Sequence, residues 1–216
     1  AERSIVFGSD GGMVARFGGV HVVHVWDMVS GTLIGSLLHP DNVGIVAFLP
    51  DGRRLVTAGA DREIRLWWIE SGDVLSTLSY EWSRHLGKQQ PTGDVGLVEQ
   101  LTLSPDGTRL VAIDETGRGW LWSLRSRRLM ADLGVLTSAK TAKFSRDSRW
   151  LAVTHEDANV SFWDARAGTP MQMLSHVEPF HAMEFSPESC MLTSLSGAYT
   201  VKVWDLSTIA ISATPV

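Results

Sequence analysis

Apolar and polar residues alternate over short runs along this chain. Three and one residues before Trp26, Trp67, Trp122, Trp163 and Trp204 stand Val23/Val25, Ile64/Leu66, Gly119/Leu121, Val160/Phe162 and Val201/Val203. Between them stand His24, Arg65, Trp120, Ser161 and Lys202. A period of two puts one apolar face on a pleated strand, which helical spacing would not do. The clearest copy is Phe48–Leu78. Phe48 closes one strand, and Pro50-Asp51-Gly52 turns the chain, because proline presets φ and glycine accepts φ > 0. Leu55–Gly59 reads as the second strand, Ile64–Trp67 as the third and Val74–Leu78 as the fourth, with turns at Asp61-Arg62 and Glu70–Asp73. Such a four-stranded antiparallel meander is too small to bury its apolar face alone.

The pattern recurs. The tryptophans fall at steps of 41, 55, 41 and 41 residues. The residue ahead of the turn, at Phe7, Phe48, Leu103, Phe144 and Phe185, keeps the same steps. Two landmarks in one register, with one 14-residue insertion, mean an array of like supersecondary units. The units span roughly 5–38, 39–78, 95–133, 136–174 and 176–216, with an inserted loop at 79–97.

Trp-Asp stands at 26–27, 163–164 and 204–205, and Pro-Asp-Gly at 50–52 and 105–107. Weaker turns stand at Ser9-Asp10-Gly11, Arg146-Asp147-Ser148 and Pro187-Glu188-Ser189. On these residues the chain resembles the WD-repeat β-propeller family from Ile5 to about Leu206. The resemblance implies an all-β fold, a β-propeller of four-stranded antiparallel blades in five repeat units. Ser207–Val216 is too short and irregular to read as a last fourth strand, and unit one lacks a strand ahead of it. The expectation is therefore part of a larger propeller, with five-bladed closure as the alternative.

The resemblance also implies a structural hydrogen-bond network of His39, Thr57, Asp61 and Trp67. A buried imidazole, hydroxyl, carboxylate and indole must satisfy one another. The set mimics a catalytic triad, but these positions staple loops within one unit. The other units are degenerate: Ala198 replaces the Asp in unit five, which keeps His176 and Ser194, while unit four keeps Asp157 beside Val135 and Val153.

Composition adds limits. Apolar residues make up 44% and charged residues 20%, as in ordinary globular chains. The single cysteine, Cys190, excludes an internal disulfide and fits a reducing compartment. It reads as a half-buried small apolar residue rather than a nucleophile. No apolar run approaches a membrane helix. AERSIVFGSDGG lacks the features of a signal peptide, so a cytoplasmic location is expected. The window Arg118–Arg166 holds nine Lys/Arg against five Asp/Glu, a net of +4, while the remainder carries −9. That argues against general nucleic-acid binding and leaves room for a local basic face.

Nothing reads as a cofactor site, a metal site or a catalytic set. His21 and His24 point to opposite faces of a strand, and His155 with Asp157 reads as a solvated turn. Three surfaces are candidates for protein or peptide partners. The inserted loop carries Tyr80, Trp82, Arg84 and His85, residue types enriched at binding hot spots. The loops on the same end carry Asn42, His155, Glu156, Phe180 and His181. The opposite end carries Arg125, Arg127, Arg128, Arg146 and Arg149, together with Arg109 and Arg166, able to meet acidic groups or phosphates. A solvated rim shared with Asp106, Asp147 and Asp164 is the plainer reading of that last surface. The function expected is a non-catalytic protein–protein interaction platform. The alternative is a regulatory or sensor module of a larger signalling protein such as an NTPase or kinase.

Overall fold

The computed structural model describes residues 4–78, 96–135, 141–155, 158–175, 180–196 and 200–208. Nineteen strands lie among them. The first sheet holds β1 (Ser4–Phe7), β2 (Met13–Phe17), β3 (Val22–Asp27) and β4 (Leu33–Leu38). The second holds β5 (Val43–Phe48), β6 (Arg54–Gly59), β7 (Ile64–Trp68) and β8 (Val74–Leu78). The third holds β9 (Val98–Leu103), β10 (Arg109–Asp114), β11 (Arg118–Ser123) and β12 (Arg128–Val135). The fourth holds β13 (Thr141–Phe144), β14 (Trp150–Thr154), β15 (Asn159–Asp164) and β16 (Thr169–Ser175). β17 (Phe180–Phe185), β18 (Met191–Ser196) and β19 (Val201–Asp205) form a three-stranded fifth sheet. Every sheet is an antiparallel meander in sequence order, as the alternation and turn residues require. After β19 the chain is helical at 206–208.

In each four-stranded sheet the pairing of third and fourth strands slips at the repeated tryptophan. The shifts fall between Val25/Trp26, Leu66/Trp67, Leu121/Trp122 and Ser161/Trp163. A bulge at that point bends the strand and sharpens its twist.

The apolar faces are buried between successive sheets. One cluster joins sheets one and two around Phe17, Val25, Phe48 and Trp67. Further clusters join two to three around Leu66, Leu110 and Trp122, three to four around Leu121, Leu151 and Trp163, and four to five around Phe162, Phe185 and Leu192. Burying one such leucine or phenylalanine contributes about 1.5–3 kcal/mol. The first strands approach one another along the array, β5 touching β1 and β9, and β9 touching β13. This is the propeller-blade arrangement that the repeat implied.

The turns between first and second strands form a second seam. Gly11, Gly52, Gly107, Ser148 and Ser189 occupy the same turn position, with φ of 72°, 63°, 66°, 60° and 59°. Left-handed backbone is natural for glycine and costs a serine roughly 1–2 kcal/mol. The two serines recover a hydrogen bond between sheets. The Asp106 N–H donates to Ser148 Oγ at 3.0 Å, and the Asp147 N–H donates to Ser189 Oγ at 3.1 Å. The weaker turn sequences in units four and five are therefore inter-sheet staples. Glycine is required for space at Gly107, where a Cβ would stand 2.8 Å from Pro50 Cδ in the preceding unit.

Candidate functional site

Three members of the predicted polar network meet inside sheet two. Thr57 lies on β6 and Trp67 on β7, with Thr57 paired across the sheet with Arg65. Trp67 Nε1–H donates to Thr57 Oγ1 at 2.9 Å. Thr57 Oγ1 lies 2.8 Å from His39 Nε2, and His39 Nδ1 lies 3.0 Å from the Leu37 carbonyl. The Leu37 carbonyl can only accept, so Nδ1 carries the proton, and the unprotonated Nε2 accepts from the Thr57 hydroxyl while the indole donates to the same oxygen. The imidazole is neutral in this chain of bonds. Its burial, the largest influence, holds the pKa below the usual histidine range.

Asp61 departs from the expectation. Its Oδ2 accepts from Arg65 Nη1 at 2.5 Å, and its Oδ1 accepts from the Glu63 N–H at 3.2 Å. Arg65 also meets Glu63 and is itself buried. The guanidinium four residues on captures the carboxylate, so the Leu37 carbonyl takes the place the resemblance implied for Asp61. Reading Arg65 only as the polar half of an alternation missed this. The opposite charges at 61, 63 and 65 were the available signal.

The corresponding hydroxyl position holds Ala112 and Val153 in units three and four. Accordingly Trp122 Nε1 and Trp163 Nε1 are buried without a hydrogen-bond partner among the described residues. Ser194 keeps the hydroxyl in unit five, but its Oγ is likewise buried and unpartnered there. Ser194 lines a cleft of about 480 Å³ between sheets four and five, with Lys143, Thr154, Glu184, Thr193 and Val201. Lys143 and Glu184 close an ion pair across it.

Two single-residue expectations are corrected. His155 is buried rather than solvated, because Ser161 Oγ sits 2.7 Å from its Nε2. Cys190 is exposed rather than half-buried, since it precedes β18 in the turn. Among the loop candidates, Asn42 is exposed, and its carbonyl accepts from the Ala60 N–H at 2.8 Å. Phe180 and His181 fall in β17 rather than in a turn, and their side chains lie outside the described residues. Tyr80, Trp82, Arg84, His85 and Glu156 also lie outside them, as does Asp157.

The arginine face is well defined. Arg125 and Arg127 come from the connection between β11 and β12, Arg128 opens β12, and Arg146 and Arg149 come from the turn between β13 and β14; all five are exposed. Arg127 (φ 57°) donates from Nη1 to the Leu75 carbonyl of sheet two at 2.7 Å. Arg149 lies 4.3 Å from the Trp150 ring centroid and 3.8 Å from Asp164 Oδ2. Arg109 pairs with Asp106, and Arg166 donates to the Asp147 carbonyl. Arg125, Arg128 and Arg146 have no ion-pair partner among the described residues. The turn carboxylates are engaged locally. Burial works to raise the pKa values of Asp106 and Asp147, but hydrogen bonds outweigh it and hold both below the usual range: Ser104 and Thr108 bind Asp106, and Ser145 and the Arg149 N–H bind Asp147. Among the described residues no cluster of His, Cys, Asp or Glu could hold a metal ion, and no helix is long and apolar enough to cross a membrane.

Comparison with known proteins bears on this arrangement. The sequence model described as "WD domain, G-beta repeat" matches residues 31–67 and 133–164. Protein tipD of Dictyostelium discoideum is 28% identical over 209 residues, covering 94% of this chain and 32% of that protein. Eukaryotic translation initiation factor 3 subunit I of Emericella nidulans is 24% identical over 235 residues, covering 99% of this chain and 66% of its own length. Target of rapamycin complex subunit wat1 of Schizosaccharomyces pombe is 28% identical over 155 residues, covering 70% and 45%. The chain thus spans between about a third and two thirds of these relatives.

Proposed function

Because the chain belongs to the WD-repeat family, we propose that it is a non-catalytic platform that holds a protein or peptide partner, with the arginine face of units three and four as the contact surface. The observation that carries this reading is the exposure of Arg125, Arg128 and Arg146 with no ion-pair partner among the described residues. Beside them Arg127 is anchored to the neighbouring sheet and Arg149 is laid on Trp150. Rigid planar donors lose little entropy on meeting carboxylates and bind them in a fork. Two of the relatives are named as subunits of larger assemblies, which supports a protein partner. The cytoplasm is the matching location, and nucleic acid and membrane are not the partners we infer.

The probe is a labelled peptide rich in Glu and Asp, followed by fluorescence anisotropy at about 50 mM and about 300 mM salt, since screening weakens exposed charge contacts steeply over that range. Binding at low salt that weakens about tenfold or more in an Arg125→Ala/Arg128→Ala/Arg146→Ala variant is expected. Equal binding by the variant, or none by the unmodified chain at low salt, would remove the arginine face from the proposal. A second reading, a regulatory module of a larger signalling protein, is favoured by the fraction of its relatives' length that this chain spans.

A further inference from the structure

In the first three sheets the bulge at the repeated tryptophan leaves one residue of the outer strand unpaired. The register passes from Gly35 to Leu33 across Ile34, from Ser76 to Val74 across Leu75, and from Ala131 to Leu129 across Met130. The turn of the following unit closes towards that residue, and the position five after the tryptophan decides how. Units one, two and four place Gly31, Gly72 and Gly168 there, at φ of 68°, 71° and 71°. Unit three places Arg127 there, at φ 57°, in backbone that favours glycine. A side chain kept in such backbone at one of these equivalent positions points to a task. The task is visible: Nη1 donates to the Leu75 carbonyl at 2.7 Å.

The other two unpaired residues are met differently. Gly168 sits on Met130, where a Cβ would stand 3.3 Å from the Met130 Cβ and from its carbonyl oxygen. Gly72 sits two residues further along β4, where a Cβ would stand 3.3 Å from the Ser36 carbonyl oxygen. The space beside Ile34 stays open, a groove of about 170 Å³ between β4 and the turn at 70–72. That is smaller than the roughly 300 Å³ at which small-molecule pockets begin, and it suits a single long side chain. Glycine has none to send into it.

The charges beside the groove reverse those of unit three. Three and six residues after the tryptophan, unit three carries Arg125 and Arg128, whereas unit two carries Glu70 and Asp73. Both carboxylates are exposed, and neither has an ion-pair partner among the described residues. The position that unit three fills with its own guanidinium is therefore open in unit two and flanked by two anions. We propose that this groove is a docking site for an arginine side chain of a partner polypeptide. The guanidinium donates to the Ile34 carbonyl as Arg127 donates to that of Leu75, and its remaining N–H groups face Glu70 and Asp73. All three groups are acceptors, which a guanidinium with its fork of five donors matches and a compact ammonium matches less well. The inference does not rest on the arginine face, which belongs to units three and four.

The test titrates a capped Gly/Ser peptide carrying two arginines into the isotopically labelled chain at about 50 mM salt, where exposed charge contacts are only lightly screened. The amide signals of Gly35, Ser36, Ser71 and Gly72 are followed by NMR, and saturable shifts at these positions are expected. A twin peptide with lysine for arginine should bind about fivefold or more weakly. Gly72→Arg supplies the guanidinium from within, as unit three does, and should weaken the arginine peptide about tenfold or more; Glu70→Gln/Asp73→Asn should do the same by removing the charges. Circular dichroism and thermal melting check that both variants fold, and if Gly72→Arg does not, the double neutralisation carries the comparison. No shift at these amides, equal binding of the lysine twin, or parent-like binding by the folded variants overturns the proposal. So do shifts that grow with chain concentration in the absence of peptide and vanish in Arg125→Ala/Arg128→Ala/Arg146→Ala, because they assign the groove to a second copy.

Discussion

Replacing Thr57 by Val removes one hydroxyl and almost no volume, so it tests the polar chain in unit two without opening a cavity. Thr57 is fully buried, and its oxygen serves Trp67 Nε1 and His39 Nε2 at 2.9 and 2.8 Å. The substitution orphans a buried donor and a buried acceptor together. Each orphan costs about 1–3 kcal/mol, so a loss of about 3 kcal/mol is a conservative sum. For a chain of this length that lowers Tm by about 6–12 °C. Thr57→Ser is the control: it keeps the hydroxyl and loses one methyl, about 1 kcal/mol and about 2–4 °C. Thermal unfolding followed by circular dichroism reads both. If the valine variant melts no lower than the serine variant, the bonds are not what Thr57 contributes. Unit four offers the reciprocal experiment, because Val153 stands at the equivalent position and leaves Trp163 Nε1 without a partner among the described residues. Val153→Thr should raise stability by about 1 kcal/mol.

The remaining expectations concern His39 and the turn seam. Burial holds the folded-state pKa of His39 below its unfolded value, so the unfolded chain binds the proton first as pH falls. The stability tied to neutral His39 is complete above about pH 6.5 and is lost as pH drops from there through the folded-state value. Melting temperatures between pH 7 and pH 5 should fall more steeply for the unmodified chain than for His39→Gln, and parallel slopes would acquit this histidine. At Ser148, alanine keeps the left-handed strain and loses the Asp106 bond, so Ser148→Ala should cost about 1–2 kcal/mol. Ser148→Gly loses the same bond but relieves the strain, and should melt near the parent; a glycine variant as damaged as the alanine one contradicts the account.

The sheets were legible because period-two alternation and Pro-Asp-Gly turns are local signals, and five copies in register multiply them. Val160 and Phe162 point inward as the pattern said. What one spacing could not supply was competition between partners. Asp61 had two claimants, and the guanidinium of Arg65 holds it while His39 turns to a carbonyl. His155 read as a solvated turn residue because its partner, Ser161, sits across a hairpin rather than beside it. The turns at Ser148 and Ser189 read as weaker copies of the Pro-Asp-Gly turn because their bonds run to the preceding unit, 42 residues back. The arginine face was legible as composition, but only the structure separates the anchored Arg127 from Arg125 and Arg128, which have no ion-pair partner among the described residues.

The meander order of every sheet has a kinetic consequence. Each sheet closes from one contiguous stretch, and every apolar cluster joins only neighbours in sequence. Growth should therefore proceed by accretion, with unit two as the natural seed, since it alone among the described units pairs a complete hydroxyl relay with neighbours on both sides. Melting should run the other way, peeling from the fifth sheet, where three described strands and an open cleft leave least to hold.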